Sequence, residues 1–307
     1  MLKKLLAGIF CVAFIILLAS FKKDSEPAGP GKKNSSKKNA IKTIIVDPGH
    51  GGSDAGAHGL RSYEKTICLA VGLKLGKLLE KEFPDLKILY TRTTDVYPEI
   101  RARADFANTN KGDLFVSIHV NSGPRTKHSK FAGYRKQVYY TGKGKNRRKR
   151  TRSVPRYTTY YTPNPSRGTE TYIWAADRSA SKGDFVTERL SEPVNEGKEF
   201  TPDLNDPVFK AQSLLWTKRY FDKSLLLANL VEEEFVKEGR ASRGVKQRNE
   251  KGIWVLQATA MPSILVETGF ISHKPDEDYL NSKRGQDEIA KNILNAIRKY
   301  RKATEGK

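Results

Sequence analysis

Residues 43–59, TIIVDPGHGGSDAGAHG, open on a short apolar, β-branched run that Asp47-Pro48-Gly49 breaks abruptly. Such a run, bounded by turn residues, reads as a buried strand. The glycine-rich loop that follows carries two histidines, His50 and His58. They admit three readings: filler in a turn, decoration of a phosphate-binding loop, or part of a metal site. The remainder of the chain decides among them.

Downstream of this loop, residues 64–83 place apolar side chains at helical spacing, among them Ile67, Leu73, Leu75 and Leu79, and Pro84 ends the helix. KILYTR (87–92) is predicted as a second strand, 97–110 as a helix with Pro98 near its first turn, and DLFVSIHVNS (113–122) as a third strand. GTETYIWA (168–175) reads as another strand and 213–239 as an amphipathic helix stopped by Gly239. IWVLQ (253–257) and SILVETGFI (263–271) read as two late strands, and 286–302 as a closing helix. Alternating strands and helices predict an α/β fold built on a mostly parallel sheet.

The chain has 307 residues, 37% of them hydrophobic and 9% aromatic, enough for a core. Lys and Arg number 56 against 34 Asp and Glu, a formal charge of +22 that calls for an anionic partner without saying which. Residues 1–21 have a basic start, an apolar run from Leu5 to Phe21 and small residues at its end, the layout of a signal peptide or a membrane anchor. Residues 22–41 are rich in Lys, Pro, Gly and Ser and read as a flexible linker. The body is therefore expected to be exported to the periplasm or cell envelope. With no nucleic-acid-binding motif in the chain, nucleic acid is set aside as the anionic partner. Beyond Cys11 in the apolar run, Cys68 stands alone among apolar residues of the first helix, so no disulfide framework forms in the body and a buried core thiol is expected.

His50 and His119 both stand where a strand's apolar run gives way to a loop. In open α/β sheets ligand sites form outside the carboxyl ends of neighbouring strands, so the two imidazoles converge on one crevice. A catalytic zinc site takes three protein ligands and leaves a position for water. Glu64, at the start of the first helix and just after the glycine loop, is the natural third candidate, although a carboxylate there can also merely complement the helix dipole. Glu267 ends the apolar strand PSILVETGF, where burial is expensive unless the carboxylate is paired or functional. Beside a metal it is suited to general-base and then general-acid catalysis.

Taken together and in order, VDPGHGGSDAGAHG, YEKT, FVSIHVNS, GTETYIW and PSILVETGFIS resemble the successive motifs of the zinc-dependent N-acetylmuramoyl-L-alanine amidases, enzymes that cut the amide between muramic acid and the first L-alanine of the peptidoglycan stem. The resemblance implies one Zn2+ held by His50, Glu64 and His119, with Glu267 as the catalytic carboxylate. It also implies a single α/β catalytic domain over 42–303, with a twisted, mostly parallel six-stranded sheet flanked by helices. Peptidoglycan is the implied substrate, in remodelling or daughter-cell separation, and an activator protein is a candidate partner. The alternatives are a zinc peptidase acting on stem peptides and a gated or inactive peptidoglycan-binding protein. His58 falls where the family pattern reserves no ligand; His128 and His273 are expected to be exposed and inert, and Asn121 is a candidate to orient substrate.

Two segments depart from the family pattern. Residues 123–167 are basic and tyrosine-rich, with the run KGKNRRKRTR at 143–152, and are expected to be a solvated loop or a segment binding anionic wall or membrane polymers. Residues 177–207 read as a second irregular insertion in which Asp184, Glu188, Glu192, Glu196 and Glu199 are candidates to pair with the basic segment.

Overall fold

A computed structural model of the chain describes residues 40–191, 203 and 206–306. The expected signal or anchor segment 1–21, nearly all of the linker 22–41, and Glu192, Glu196 and Glu199 lie outside the described residues. The chain divides into two units, Met1–Lys38 and Asn39–Lys307, and everything below concerns the second. Among the described residues no helix is long and apolar enough to cross a membrane.

The first strand, β1 (Thr43–Pro48), is buried along its whole length. Helix α1 (Glu64–Glu82) returns the chain to β2 (Lys87–Tyr90), and α2 (Ile100–Thr109) returns it to β3 (Leu114–Asn121). After a two-stranded excursion, β4 (Thr126–Thr141) and β5 (Arg148–Thr162), the chain re-enters the sheet as β6 (Thr169–Ile173). Helices α3 (Ser179–Ser191) and α4 (Pro207–Lys237) precede β7 (Ser242–Gln247) and the short α5 (Trp254–Ala258). The central strand β8 (Ser263–Phe270) is followed by α6 (Lys274–Asn281) and α7 (Lys283–Glu305).

The six-stranded sheet has the order β2-β1-β3-β8-β6-β7. Every pairing is parallel except β6 with β8, so the expected mostly parallel α/β sheet is what forms. Alternation along the strands sorts side chains to two cores, as the period of two requires. Ile44, Val46, Val116, Ile118, Ile264 and Val266 join the larger core with α1, α4 and α7. Ile45, Phe115 and Leu265 face the smaller core with Ala104 and Ala107 of α2 and Leu256 of α5. Cys68 lies in the larger core, where burial pushes its thiol well up, as suits a packing residue.

Three segments differ from the sequence expectation. IWVLQ is largely the helix α5, and the strand is the preceding SRGVKQ. Val255 and Leu256 are buried against Tyr172 and Met261, which one helical turn achieves as well as a strand would. Part of the expected irregular insertion 177–207 is helix α3, which carries Asp184 and Glu188. It docks through Lys182, fully buried, whose ammonium donates to the carbonyls of Leu256 (2.8 Å) and Thr259 (2.6 Å) and sits 4.1 Å over Trp174. The basic insertion is a regular antiparallel ribbon, β4 paired with β5, rather than a loop.

Candidate metal centre

The carboxyl ends of β1, β3 and β8 lie side by side, and His50, Glu64 and His119 meet there. His50 has a left-handed backbone (φ 58°), which turns its ring back over the strand ends. The turn needs glycines for space as well as conformation. A Cβ on Gly49 would lie 2.4 Å from the His119 ring, and one on Gly56, itself at φ 65°, would lie 2.7 Å from both Glu64 and His50.

Glu64 opens α1 and is buried. Its Oε1 lies 3.1 Å from His50 Nε2 and 2.9 Å from His119 Nδ1, and accepts from the Val120 amide at 2.9 Å. Its Oε2 accepts from the Ala57 amide at 2.8 Å, so neither oxygen can swing away. The three donor atoms all lie within 4.8 Å of one another. The two shorter separations approach the edge, about 3.3 Å, of a tetrahedron with zinc-type bonds. Burial alone would raise the Glu64 carboxyl, but the hydrogen bonds from His119 and His50 hold it far below the usual range. For His50, burial works downward and is outweighed by Glu64 and Asp54, which raise it to about 8.

Asp54 was not legible as a site residue. Its Oδ2 lies 2.7 Å from His50 Nδ1, so it favours the ring that carries a proton on Nδ1, the form whose Nε2 is free to bind a metal once its own proton is displaced. The loop is braced from below by two arginines. Arg92 donates to the carbonyls of Pro48 (2.9 Å), Gly49 (2.7 Å) and Lys65 (2.7 Å). Arg103 donates to Pro48 (2.8 Å), to the His50 carbonyl (2.7 Å) and to the buried Asp47 carboxylate (2.6 Å). Asp47 also accepts from Ser117 and Thr91, each at 2.6 Å.

Glu267 lies directly across from His119 in the β3–β8 register and is 7% exposed. Its Oε2 is a buried oxygen without a hydrogen-bond partner. Burial pushes the carboxyl up to about 7, against the lowering effect of His119. On its other side the register partner is Glu170, in the GTETYIW motif but likewise not singled out from the sequence. Glu170 accepts from Tyr172 (2.7 Å), Lys246 (2.7 Å), Asn121 (3.1 Å) and Arg243. Burial would raise it, but these partners keep it below the ordinary range, so it stays ionised beside Glu267.

The other expected positions lie apart from this group. His58 stacks on Tyr63 with ring centroids 4.7 Å apart, and lines a cavity of about 380 Å3 with Ser122, Arg125, Tyr161 and Lys274. His128 stacks on Tyr160 in the ribbon, and His273 precedes α6. Asn121 reaches Glu170 rather than the three convergent donors.

The family model described as Amidase_3, N-acetylmuramoyl-L-alanine amidase, matches residues 44–299. The chain is 28% identical over 264 residues to the N-acetylmuramoyl-L-alanine amidase AmiC of Escherichia coli O6:H1, covering 84% of this chain and 52% of that protein. Over 83 residues it is 46% identical to the sporulation-specific N-acetylmuramoyl-L-alanine amidase of Bacillus subtilis, covering 27% of this chain and 32% of that protein. The chain thus spans about half or less of the length of these curated relatives. The crystal structure of N-acetylmuramoyl-L-alanine amidase from Clostridium difficile 630 shares the fold, with a TM-score of 0.54 at 24% identity over 85% of this chain and 97% of that one.

Proposed function

The chain belongs to the N-acetylmuramoyl-L-alanine amidase family, and from that premise we propose that it hydrolyses the amide between N-acetylmuramic acid and the L-alanine of the peptidoglycan stem, using one zinc ion. The observation that carries this is the meeting of His50, Glu64 and His119 next to a buried, partnerless carboxylate oxygen of Glu267. Two imidazoles and one carboxylate are the donor set of hydrolytic zinc sites, and their separations fit that ion. The same chemistry requires export of the domain to the cell envelope, where its substrate is.

His50, Glu64 and His119 would hold the metal, each pinned by a second contact or by packing. When bound, zinc polarises the amide carbonyl and brings the pKa of its water to about 7. Glu267 takes a proton from the attacking water as the C–O bond forms, and gives it to the L-alanine nitrogen as the C–N bond breaks. A carboxyl lifted to about 7 by burial is suited to both halves of that exchange near neutral pH. Arg92 and Arg103 hold the β1 end and its loop, so that the His50 ring stays in place.

Asp54 sets the His50 tautomer, and Asp54→Ala is expected to weaken zinc affinity by about 10–100-fold without unfolding the domain. Competition with a chromogenic chelator measures this. Protons and zinc compete for His50, so this competition should weaken zinc binding increasingly as the pH falls through 8 and fade about one unit above it. Titration calorimetry in buffers of differing ionisation heat shows whether a proton is released on binding at pH 7.

The functional test is solubilisation of purified peptidoglycan by the full chain, scored for new amino groups and new reducing ends. Release of amino groups alone, stopped by a chelator and restored by zinc, is the expected result. New reducing ends, or hydrolysis indifferent to the chelator, would contradict it.

A further inference from the structure

The β4–β5 ribbon packs its side chains on no part of either core, yet its two strands of 16 and 15 residues pair along their length apart from one bulge between Phe131 and Tyr134. At about 3.3 Å per residue it is roughly 50 Å long. Residues 126–162 contain twelve Lys and Arg and no Asp or Glu. All seven of its aromatic residues are exposed. An isolated two-stranded ribbon is marginal in water, and an exposed aromatic set on one is an interaction surface.

The register sorts these residues onto two sides. Residues directly opposite share a side and neighbours along a strand alternate. Phe131 faces Tyr157 and, across the bulge, Tyr134 faces Pro155; the Phe131 ring lies 5.2 Å from Tyr134 and 5.9 Å from Tyr157. Tyr161 and Tyr140 fall on this same side. The opposite side carries Lys130, Arg135, Arg148, Arg150, Arg152 and Arg156. The first side thus holds five of the ribbon's seven aromatic residues, with Lys127, Lys136 and Lys149 among them, and the opposite side holds six of its cations together with Tyr139 and Tyr160.

The aromatic-rich side does not end in solvent. Tyr161, at the ribbon's root, lines the 380 Å3 cavity together with Arg125, Lys274 and His58 of the glycine loop. Its lining also includes Ser122 and Gly123 just after β3 and Ser272 just after β8, so it is built from the same three segments, glycine loop, β3 end and β8 end, that carry His50, His119 and Glu267. A ribbon made to dip into lipid would carry apolar residues at its tip, but the turn 142–147 is GKGKNR. Its aromatic-rich side instead leads inward to the cavity.

We infer that the ribbon is a binding arm for an anionic peptidoglycan strand, with the more basic side taking free stem-peptide carboxylates, the aromatic-rich side taking sugar rings, and the root cavity passing the strand to the metal centre. This rests on the amidase activity proposed above. The arm raises the local concentration of stems at the site by tethering the polymer. Its contribution is electrostatic and exposed, so it is sensitive to salt.

The test uses the full chain carrying Glu267→Gln, so that sacculi remain whole, and measures co-sedimentation with lipid-free purified sacculi. R148Q/R150Q/R152Q/R156Q is expected to raise the apparent Kd by at least about tenfold. The matching set of Arg→Lys changes should bind like the parent, which shows that charge and not ribbon folding is responsible. Binding by the parent should weaken as NaCl rises. Undiminished sacculus binding by the Gln set would overturn the arm. So would a loss confined to vesicles of phosphatidylglycerol and phosphatidylcholine, which would make the ribbon a membrane contact. Hydrolysis of a soluble muramoyl peptide by the chain with Glu267 intact is scored separately. Its absence would remove the amidase activity, while the sedimentation result would still decide whether the arm binds the polymer.

Discussion

Glu267→Gln is expected to keep the metal and lose turnover by roughly 10^2–10^4-fold, the usual contribution of a positioned acid–base group. The amide has the shape of the carboxylate but can neither take a proton from water nor return one to the leaving nitrogen. Folding should not suffer. Glu267 is buried, its Oε2 is without a partner, and burial lifts its carboxyl to about 7, so its charged form is already disfavoured in the fold. A single preparation can therefore be assayed for zinc content, for melting temperature and for kcat on a soluble muramoyl peptide. Unchanged zinc and melting with collapsed kcat is the expected pattern. Full turnover would remove Glu267 from the chemistry, and loss of zinc would make it a ligand.

The largest effect on stability is expected one layer beneath the site. Asp47 and Arg103 are a buried ion pair, with side chains 1% and 5% exposed. The geometry is good, and both carboxylate oxygens are engaged: Asp47 also accepts from Ser117 and Thr91, while Arg103 also caps carbonyls of Pro48, His50 and Pro98. Asp47→Ala leaves the guanidinium buried without its counter-charge, which costs about 3–5 kcal/mol. For a domain of this size that is a fall of roughly 6–20 °C in melting temperature. Zinc affinity should fall with it, because Arg103 holds the His50 carbonyl at 2.7 Å. Differential scanning calorimetry of the two zinc-free proteins measures the first effect cleanly. A shift of less than about 2 °C, under one kcal/mol, would mean the pair is replaceable by its neighbours.

How much of this was written plainly in the sequence follows from burial. β1, β3 and β8 are buried on both faces, so they appear as unbroken apolar runs that end at the residues of interest: His50, His119 and Glu267. Parallel strands with both faces covered have that signature. β7 is an edge strand, half exposed, with Gly244 and basic residues in it, and it carries no such signal. The apolar IWVLQ beside it took the strand reading that SRGVKQ deserved. The ribbon was hidden for another reason. Both of its sides face solvent and both mix aromatic with basic or other polar residues, so it lacks the apolar–polar alternation that marks a half-buried strand.

Within the site, the legible residues were those whose position was unusual for their type, such as a histidine or a glutamate at the end of an apolar strand. Asp54, Arg92, Arg103 and Glu170 were not legible. Each sits in polar surroundings along the chain, where a charged side chain is ordinarily solvated, and only the fold turns it inward. Arg103 is a helix residue between the charged Arg101 and Asp105, and nothing along the chain marks it as the one that reaches under the loop. Long side chains that brace a loop through its carbonyls leave no spacing pattern to find.

The most direct measurement is mass spectrometry of the soluble products released from purified peptidoglycan by the full chain, with and without a chelator. Intact stem peptides with a free L-alanine amino terminus, absent when the chelator is present, are the expected products. Peptides cut within the stem would make the same centre a peptidase, and products that persist in the chelator would contradict the assignment of His50, Glu64 and His119 as holders of an essential metal.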